Sequence, residues 1–260
     1  MSGHVHTTID DGIATLTFDH EERRNAITGE MWDAIPPAVA ALERNDDVRV
    51  VVMRGAGSVA FVSGADISEF EKSRIGATAA EYDKRNALAF AALSQLGKPL
   101  IAMIHGFCVG GGCAISLTAD LRYCAEDGVF AIPAAKLGLG YHAGGLAALV
   151  AVVGQAAARE IFFTARRLDA FEALRVGLVN GVVPKANLEE HVMGVARQIA
   201  NNAPLTLASA KFILGQLHKP DEAQDHDAID ASIRACYDSA DYAEGVRAFL
   251  DKRAATFTGK

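Results

Sequence analysis

Two glycine-rich loops carry the residues best suited to chemistry. One is Phe61-Val-Ser-Gly-Ala-Asp-Ile67; the other is His105-Gly-Phe-Cys-Val-Gly-Gly-Gly-Cys113, whose glycines open a helix. Glycine lets backbone approach a ligand closely, and a helix N-terminus offers unpaired N–H groups with roughly half a positive charge. Together such loops can build an oxyanion site from main chain alone, although the same glycines also suit tight helix–strand packing. A third pattern, Gly138-x-Gly140-x-x-x-Gly144, superficially matches a dinucleotide turn. It lies mid-chain, without a clean preceding strand or an acidic residue about 20 positions later. The eight histidines form no HExxH and the four cysteines (Cys108, Cys113, Cys124, Cys236) no CxxC. No metal site is expected, and reduced, cytoplasmic thiols are.

The scaffold that must position these loops is 260 residues long, 50% hydrophobic and 22% charged, which fits one large domain or one with an appendage. A chain of this length can remove on the order of three quarters of its surface from water. Its formal net charge of −7 opposes a general nucleic-acid binder, whose phosphate contacts need a basic face. The longest apolar stretch, Leu146 to Val153, falls short of the about 20 residues that span a bilayer. The start, Met1-Ser-Gly-His-Val-His, lacks the basic-then-apolar order of a signal peptide, so a cytoplasmic protein without membrane association is expected.

Strands are predicted at Val5-Ile9 and Ile13-Phe18, split by the turn Asp10-Asp11-Gly12, and the β-branched run Val48-Met53 suits a strand buried on both faces. A helix from about Glu30 to Arg44 should kink or restart at Pro36-Pro37. An Ala-rich helix over 78–96 follows. Next come the strand Leu100-Ile104, a turn at 106–112, a short helix over 113–119 and strands at Leu121-Cys124 and Val129-Ile132. Such alternation implies an α/β core with parallel pairing. Asp169-Ala-Phe-Glu172 reads as a capping box, with Gly177 closing its helix, before a last strand at Leu178-Val183. Helices over 188–201, 204–217, 223–239 and 241–253 then suggest a division into a core, 1–195, and a helical region, 196–260.

Five blocks carry a resemblance. Arg24-Asn-Ala-Ile27, Phe61-x-Ser-Gly-Ala-Asp-Ile67, His105-Gly-Phe-x-x-Gly-Gly-Gly-Cys113, Ala170-x-x-Ala-Leu-x-x-Gly-Leu-Val179 and Glu244-Gly-x-x-Ala-Phe-Leu-x-Lys-Arg253 follow one another over essentially the whole chain. In this the sequence resembles the enoyl-CoA hydratase/isomerase (crotonase) superfamily. The resemblance implies a spiral of ββα units, a C-terminal helical region for trimerisation (often a dimer of trimers), and an acyl-CoA thioester ligand with no separate cofactor. By matching, the amides of Ala65 and Gly111, the latter following Gly110, would hold the thioester oxygen. Asn25, Ala26, Ile27 and the stretch Ser63, Gly64, Ala65, Asp66, Ile67 would line the CoA groove, with Asp66 bracing the loop. Phe249 and Lys252, of the same or a neighbouring subunit, would reach the acyl tunnel or the nucleotide end, and Arg23, Arg24 and Lys252 would supply local cations to a polyanion.

The sequence also departs from the family. Typical hydratases carry one glutamate after the glycine run and another after a proline at the next strand end; here those positions are Ala114 and Ala134. Hydration needs an acid and a base, each worth about 10² to 10⁴ in rate, so efficient hydration is disfavoured. Decarboxylation of a malonyl-type thioester needs only an apolar pocket, an enolate holder and a later proton. Lys136-Leu-Gly-Leu-Gly-Tyr141 and Tyr237-Asp-Ser-x-Asp-Tyr-x-Glu-Gly245 resemble the superfamily's methylmalonyl-CoA decarboxylases, although those carry a histidine where Ala65 stands. His142 falls where dienoyl-CoA isomerases and aromatic-thioester dehalogenases place a functional aspartate; an imidazole there can act as acid or base, or simply cap the following turn. Tyr141 and His142 are thus the candidate proton carriers, while His105 and Cys113 read as structural. A hydratase activating water through other residues, a silent acyl-CoA binder and a nicotinamide dehydrogenase are the competing expectations.

Overall fold

The computed structural model describes residues 3–66 and 78–260. Its strands are β1 (His4–Asp10), β2 (Ile13–Asp19), β3 (Val50–Gly55), β4 (Ala60–Val62), β5 (Leu100–Ile104), β6 (Phe107–Val109), β7 (Leu121–Ala125), β8 (Val129–Ala131), β9 (Leu168–Asp169) and β10 (Gly181–Val183). Its α-helices are α1 (Gly29–Arg44), α2 (Thr78–Gln95), α3 (Gly111–Ser116), α4 (Ala143–Thr164), α5 (Ala170–Arg175), α6 (Leu188–Ala200), α7 (Pro204–Gln216), α8 (His226–Tyr237) and α9 (Ala240–Leu250).

The strands form two sheets, one ordered β1-β2-β3-β5-β7-β10 and one β4-β6-β8-β9. Each pair β3/β4, β5/β6 and β7/β8 gives its first strand to the larger sheet and its second to the smaller, and helical chain follows before the next pair. The chain therefore winds as a spiral of ββα units, an α/β crotonase fold. Among the described strands, pairing is antiparallel in the β1–β2 hairpin and at β8–β9 and parallel elsewhere. Asp11 and Gly12 close that hairpin with φ of 45° and 74°, the positive values a two-residue turn needs.

Alternation along the strands explains the unbroken apolar runs. Val51 and Met53 of β3 join one core cluster with Leu100 and Ala102, whereas Val50 and Val52 join a second with Ile101 and Met103. Successive side chains point to opposite faces, so a sheet covered on both sides has no polar positions to spare. Helix α6 covers the second face with Leu188, Val192 and Ala196. Residue 195, the expected start of a helical module, thus falls inside a helix that is part of the core.

Two expectations need correction. Helix α1 runs through Pro36 and Pro37 as one element, because Met31, Trp32, Ile35, Val39 and Leu42 form a continuous buried stripe that outweighs two missing donors. The loops at 60–62 and 107–109 are short strands of the smaller sheet. Helix α4 spans 22 residues and is long and apolar enough to cross a membrane by length and composition, but Gly154 (φ 75°, ψ 168°) breaks it into two pieces, each short of about 20 residues. The expected capping box is present: Asp169 accepts from the Glu172 amide while Glu172 accepts from the Asp169 amide.

Candidate active site

A cavity of about 540 Å³ lies between the two glycine loops, α2 and the start of α4. Its backbone wall comes from two segments stitched to their surroundings by peptide hydrogen bonds. Ile27 N–H donates to the Gly64 carbonyl (2.8 Å) and Asp66 N–H to the Ile27 carbonyl (2.9 Å), a parallel bridge between Ile27 and Ala65. In that pattern the Ala65 amide faces away from Ile27. Gly110 N–H donates to the Ala131 carbonyl (2.8 Å), and Gly110 takes φ 54°, which aims the following peptide as α3 begins. The two segments meet: a Cβ added to Gly111 would sit 3.7 Å from the Ala65 nitrogen. Among the described residues, neither the Ala65 nor the Gly111 amide has an acceptor. Gly112 is needed for packing, since any Cβ there would run into the Val62 carbonyl.

The rest of the cavity is mostly apolar, with Trp32, Phe90, Ala114, Ile132, Ala134 and Leu139 in its wall. Helix α2 presents Asp83, Asn86, Ala87, Phe90, Ala91 and Ser94 to it, the i, i+3, i+4, i+7 spacing of one helical face. The Oδ1 of Asn86 is buried with no hydrogen-bond partner among the described residues. Tyr82, on the same helix, accepts from Trp32 Nε1 at 3.2 Å. Across the start of α4, Tyr141 packs edge-on against Phe162 with ring centroids 5.2 Å apart. His142 occupies the N-cap position of α4 but makes no capping hydrogen bond with its side chain; its Nε2 instead lies 3.1 Å from Oδ2 of Asp83.

Of the residues singled out from the sequence, Ala65, Gly111, Tyr141, His142, Ser63, Gly64, Gly110, Ala114 and Ala134 line this cavity. Arg24, Asn25, Ala26, Ile27 and Asp66 do not; they support it from behind. Asn25, 1% exposed, spends its side chain on the Ala56 and Ala60 carbonyls and on the His20 amide, so that side chain is used inside the fold. Ile27 is fully buried, and the Arg24 guanidinium lies 4.9 Å above the Phe107 ring. Ile67 lies outside the described residues. Phe249, 83% exposed, and Lys252 sit on the outer surface at the end of α9, away from the cavity wall. Asp83 and Asn86 escaped the sequence reading. For Asn86 a signal existed: it falls in the buried stripe Tyr82, Asn86, Ala89, Leu93, where a polar residue stands out.

Two sequence candidates are structural. Cys113 donates its Sγ–H to the Cys108 carbonyl at 2.8 Å, and burial pushes the Cys108 thiol well above its usual range and Cys124 up to about 12. His105 is 5% exposed; burial, then the Arg54 and Lys185 charges, bring its imidazole down to about 4, so it is neutral at pH 7. Among the described residues no group of three or more His, Cys, Asp or Glu could hold a metal ion.

The comparisons agree with this architecture. The sequence profile described as enoyl-CoA hydratase/isomerase matches residues 8–260. A carnitinyl-CoA dehydratase of Salmonella typhi is 32% identical over 100% of both chains. A short-chain-enoyl-CoA hydratase of Clostridium acetobutylicum is 30% identical over 93% of this chain and 92% of its own. The crystal structure of an enoyl-CoA hydratase/carnithine racemase from Magnetospirillum magneticum superposes with a TM-score of 0.93 at 35% identity, covering 98% of this chain and 96% of that one. With its ββα spiral and paired glycine loops, the chain belongs to the enoyl-CoA hydratase/isomerase family.

Proposed function

We propose that this protein is an enzyme acting on an acyl-CoA thioester, with CoA entering as part of the substrate, and that it stabilises a thioester enolate between the Ala65 and Gly111 amides. The observation that carries this reading is the meeting of those two amides, neither with an acceptor among the described residues, in an apolar cavity whose wall has Ala114 and Ala134 where glutamates would stand. Each preorganised donor aimed at a developing oxyanion is worth about 3–4 kcal/mol of transition-state stabilisation. Methyl groups at 114 and 134 neither activate water nor protonate carbon, so fast syn-hydration is not this site's reaction.

A malonyl-type thioester suits it better. With its carboxylate in the apolar part of the cavity, the bond between that carboxylate carbon and the α-carbon breaks and carbon dioxide leaves. The electron pair passes into the enolate, whose oxygen the two amides hold, and a proton from His142 or Tyr141 then reaches the α-carbon. Water exclusion strengthens the amide dipoles and removes hydration from the carboxylate. We also propose assembly with further copies of the chain, as a trimer or dimer of trimers: the stretch from α7 to α9 exposes Leu214, Leu217, Tyr237, Phe249 and Leu250, apolar side chains that a neighbouring copy would cover.

Purified protein given methylmalonyl-CoA, crotonyl-CoA and a 3-enoyl-CoA separately, with each thioester followed by chromatography, tests the reading. Loss of carbon dioxide from the first with slow hydration of the second is expected. Rapid hydration of crotonyl-CoA would contradict it, and tight binding without turnover of any would favour a silent acyl-CoA binder, the reading the missing glutamates also allow.

A further inference from the structure

We infer that Asp83 is a positioning residue for His142, holding the imidazole in the cavity wall in one tautomer so that Nδ1 is the atom that exchanges a proton with the substrate α-carbon. This rests on the enolate reading above and names which of its two proton carriers acts, and how. The two side chains come from elements far apart in sequence, α2 and the start of α4, and both line the cavity that holds the Ala65 and Gly111 amides. Their closest atoms, His142 Nε2 and Asp83 Oδ2, are 3.1 Å apart.

Three features separate this pair from an ordinary surface contact. First, His142 stands at an N-cap, where a side chain normally bonds the helix, yet its own makes no such bond; the backbone carbonyl of His142 instead accepts from Gly145 N–H (3.1 Å) and Leu146 N–H (3.2 Å). The start of α4 therefore does not need the imidazole. Second, although their side chains are 76% and 39% exposed, His142 and Asp83 both border the cavity that holds the two amides, which an ordinary surface pair does not. Third, the ring of the rival carrier, although it borders the cavity, is held beside the helix start: Tyr141 packs on Phe162, and its Cε1 would be 2.7 Å from a Cβ at Gly145.

The chemistry follows from which nitrogen faces the carboxylate. A neutral imidazole carries one N–H, and a carboxylate beside Nε2 favours the proton there, leaving the lone pair on Nδ1 as the base. When Nδ1 takes the α-proton, the C–H electron pair moves into the enolate, the two amides hold its oxygen, and Nε2–H stays directed at Asp83. The reverse step returns that proton from Nδ1 to carbon; in decarboxylation no α-proton is taken, so Nδ1 must first be protonated from solvent to supply the one that carbon receives. A carboxylate that orients and charge-balances a catalytic imidazole is the general arrangement of such pairs.

The probe is butyryl-CoA in D₂O, with exchange of its α-protons followed by mass spectrometry, alongside ¹⁵N correlation spectra of the imidazole-labelled protein. The wild type should exchange deuterium and show His142 with its proton on Nε2. Asp83→Asn should slow exchange about tenfold or more with KM little changed, and mix the tautomers; Asp83→Glu should recover most of both. His142→Gln should slow exchange further, and adding Asp83→Asn to it should cost nothing more. Failure of butyryl-CoA to bind would sink the acyl-CoA reading itself, and the tautomer in Asp83→Asn would then judge the pair alone. Binding without exchange by the wild type, or an Asp83→Asn protein with unchanged exchange and an unchanged imidazole spectrum, overturns the assignment.

Discussion

The cavity has two walls of different construction. One is main chain: Ala65 and Gly111 offer amides fixed by the bridge to Ile27 and by the Gly110–Ala131 hydrogen bond. The other is side chain: Asp83 and Asn86 from α2, Tyr141 and His142 from the segment before α4. The first wall can do one thing, hold negative charge on an oxygen, and substitution of a side chain barely alters it. On the proposed reading the second decides where protons go and which acyl groups fit. The resemblance puts hydratase glutamates beside the first wall, at 114 and 134; with alanine there, proton chemistry is left, on that reading, to the second wall. A family resemblance therefore reports the first wall well and the second poorly.

The largest expected effect breaks the backbone wall alone. Gly111 is the first residue of α3, a position that tolerates proline, and Gly111→Pro removes one donor while keeping the helix start. Turnover of the accepted thioester should fall by about 10² to 10³, measured as kcat/KM; a smaller loss than tenfold would mean the amide is not a donor to the reaction.

Next, His105 should show itself as part of the scaffold through pH. Its folded-state imidazole titrates near 4, below the ordinary 6.5. Unfolded chain thus binds a proton that folded chain refuses between those values. Its contribution is full above pH 6.5, lost as pH falls towards 4 and flat below, about 3 kcal/mol in all. Urea unfolding at several pH values should show His105→Asn less acid-sensitive than wild type by that order; equal acid sensitivity would remove His105 from the account. Asn25→Ala should cost about 2 kcal/mol in the same unfolding experiment, because it leaves buried peptide groups unpaired and puts alanine at φ 57°. Unchanged stability with a raised KM would instead make Asn25 a ligand contact. Smallest of all, Phe249→Ala should change the stability of a single chain by less than about 0.5 kcal/mol. Light scattering would reveal its effect on assembly, and a large loss of monomer stability would contradict its exposed position.

Much of the scaffold was legible because periodicity records burial. Val48-Met53 reads as a strand buried on both faces and Leu100-Ile104 as a buried strand; the strands are there, at Val50–Gly55 and Leu100–Ile104, and the capping box at Asp169 announced α5. Strands β4 and β6 were hidden for a physical reason: three residues each, between glycines, give no alternation to detect. The Pro36-Pro37 expectation failed because local propensity yields to a five-residue buried stripe. In the site, the glycine loops pointed to a backbone wall as one of two readings; the other, close helix–strand packing, is what Gly112 serves. Asp83 was not legible, because a charged residue on an Ala-rich helix looks like any solvated position until the fold brings His142 to within 3.1 Å of it. Asn25 looked like a groove residue because its motif is sequence-local, whereas its partners, Ala56 and Ala60, are more than thirty positions away.

The central claim is that two amides polarise one thioester carbonyl, and isotope-edited infrared spectroscopy of a bound thioester tests it most directly. With ¹³C at the carbonyl of butyryl-CoA, binding to the wild type should move the C=O stretch to lower frequency than in water, and Gly111→Pro should return much of that shift. A bound carbonyl vibrating at its solution frequency, in wild type and variant alike, would contradict it.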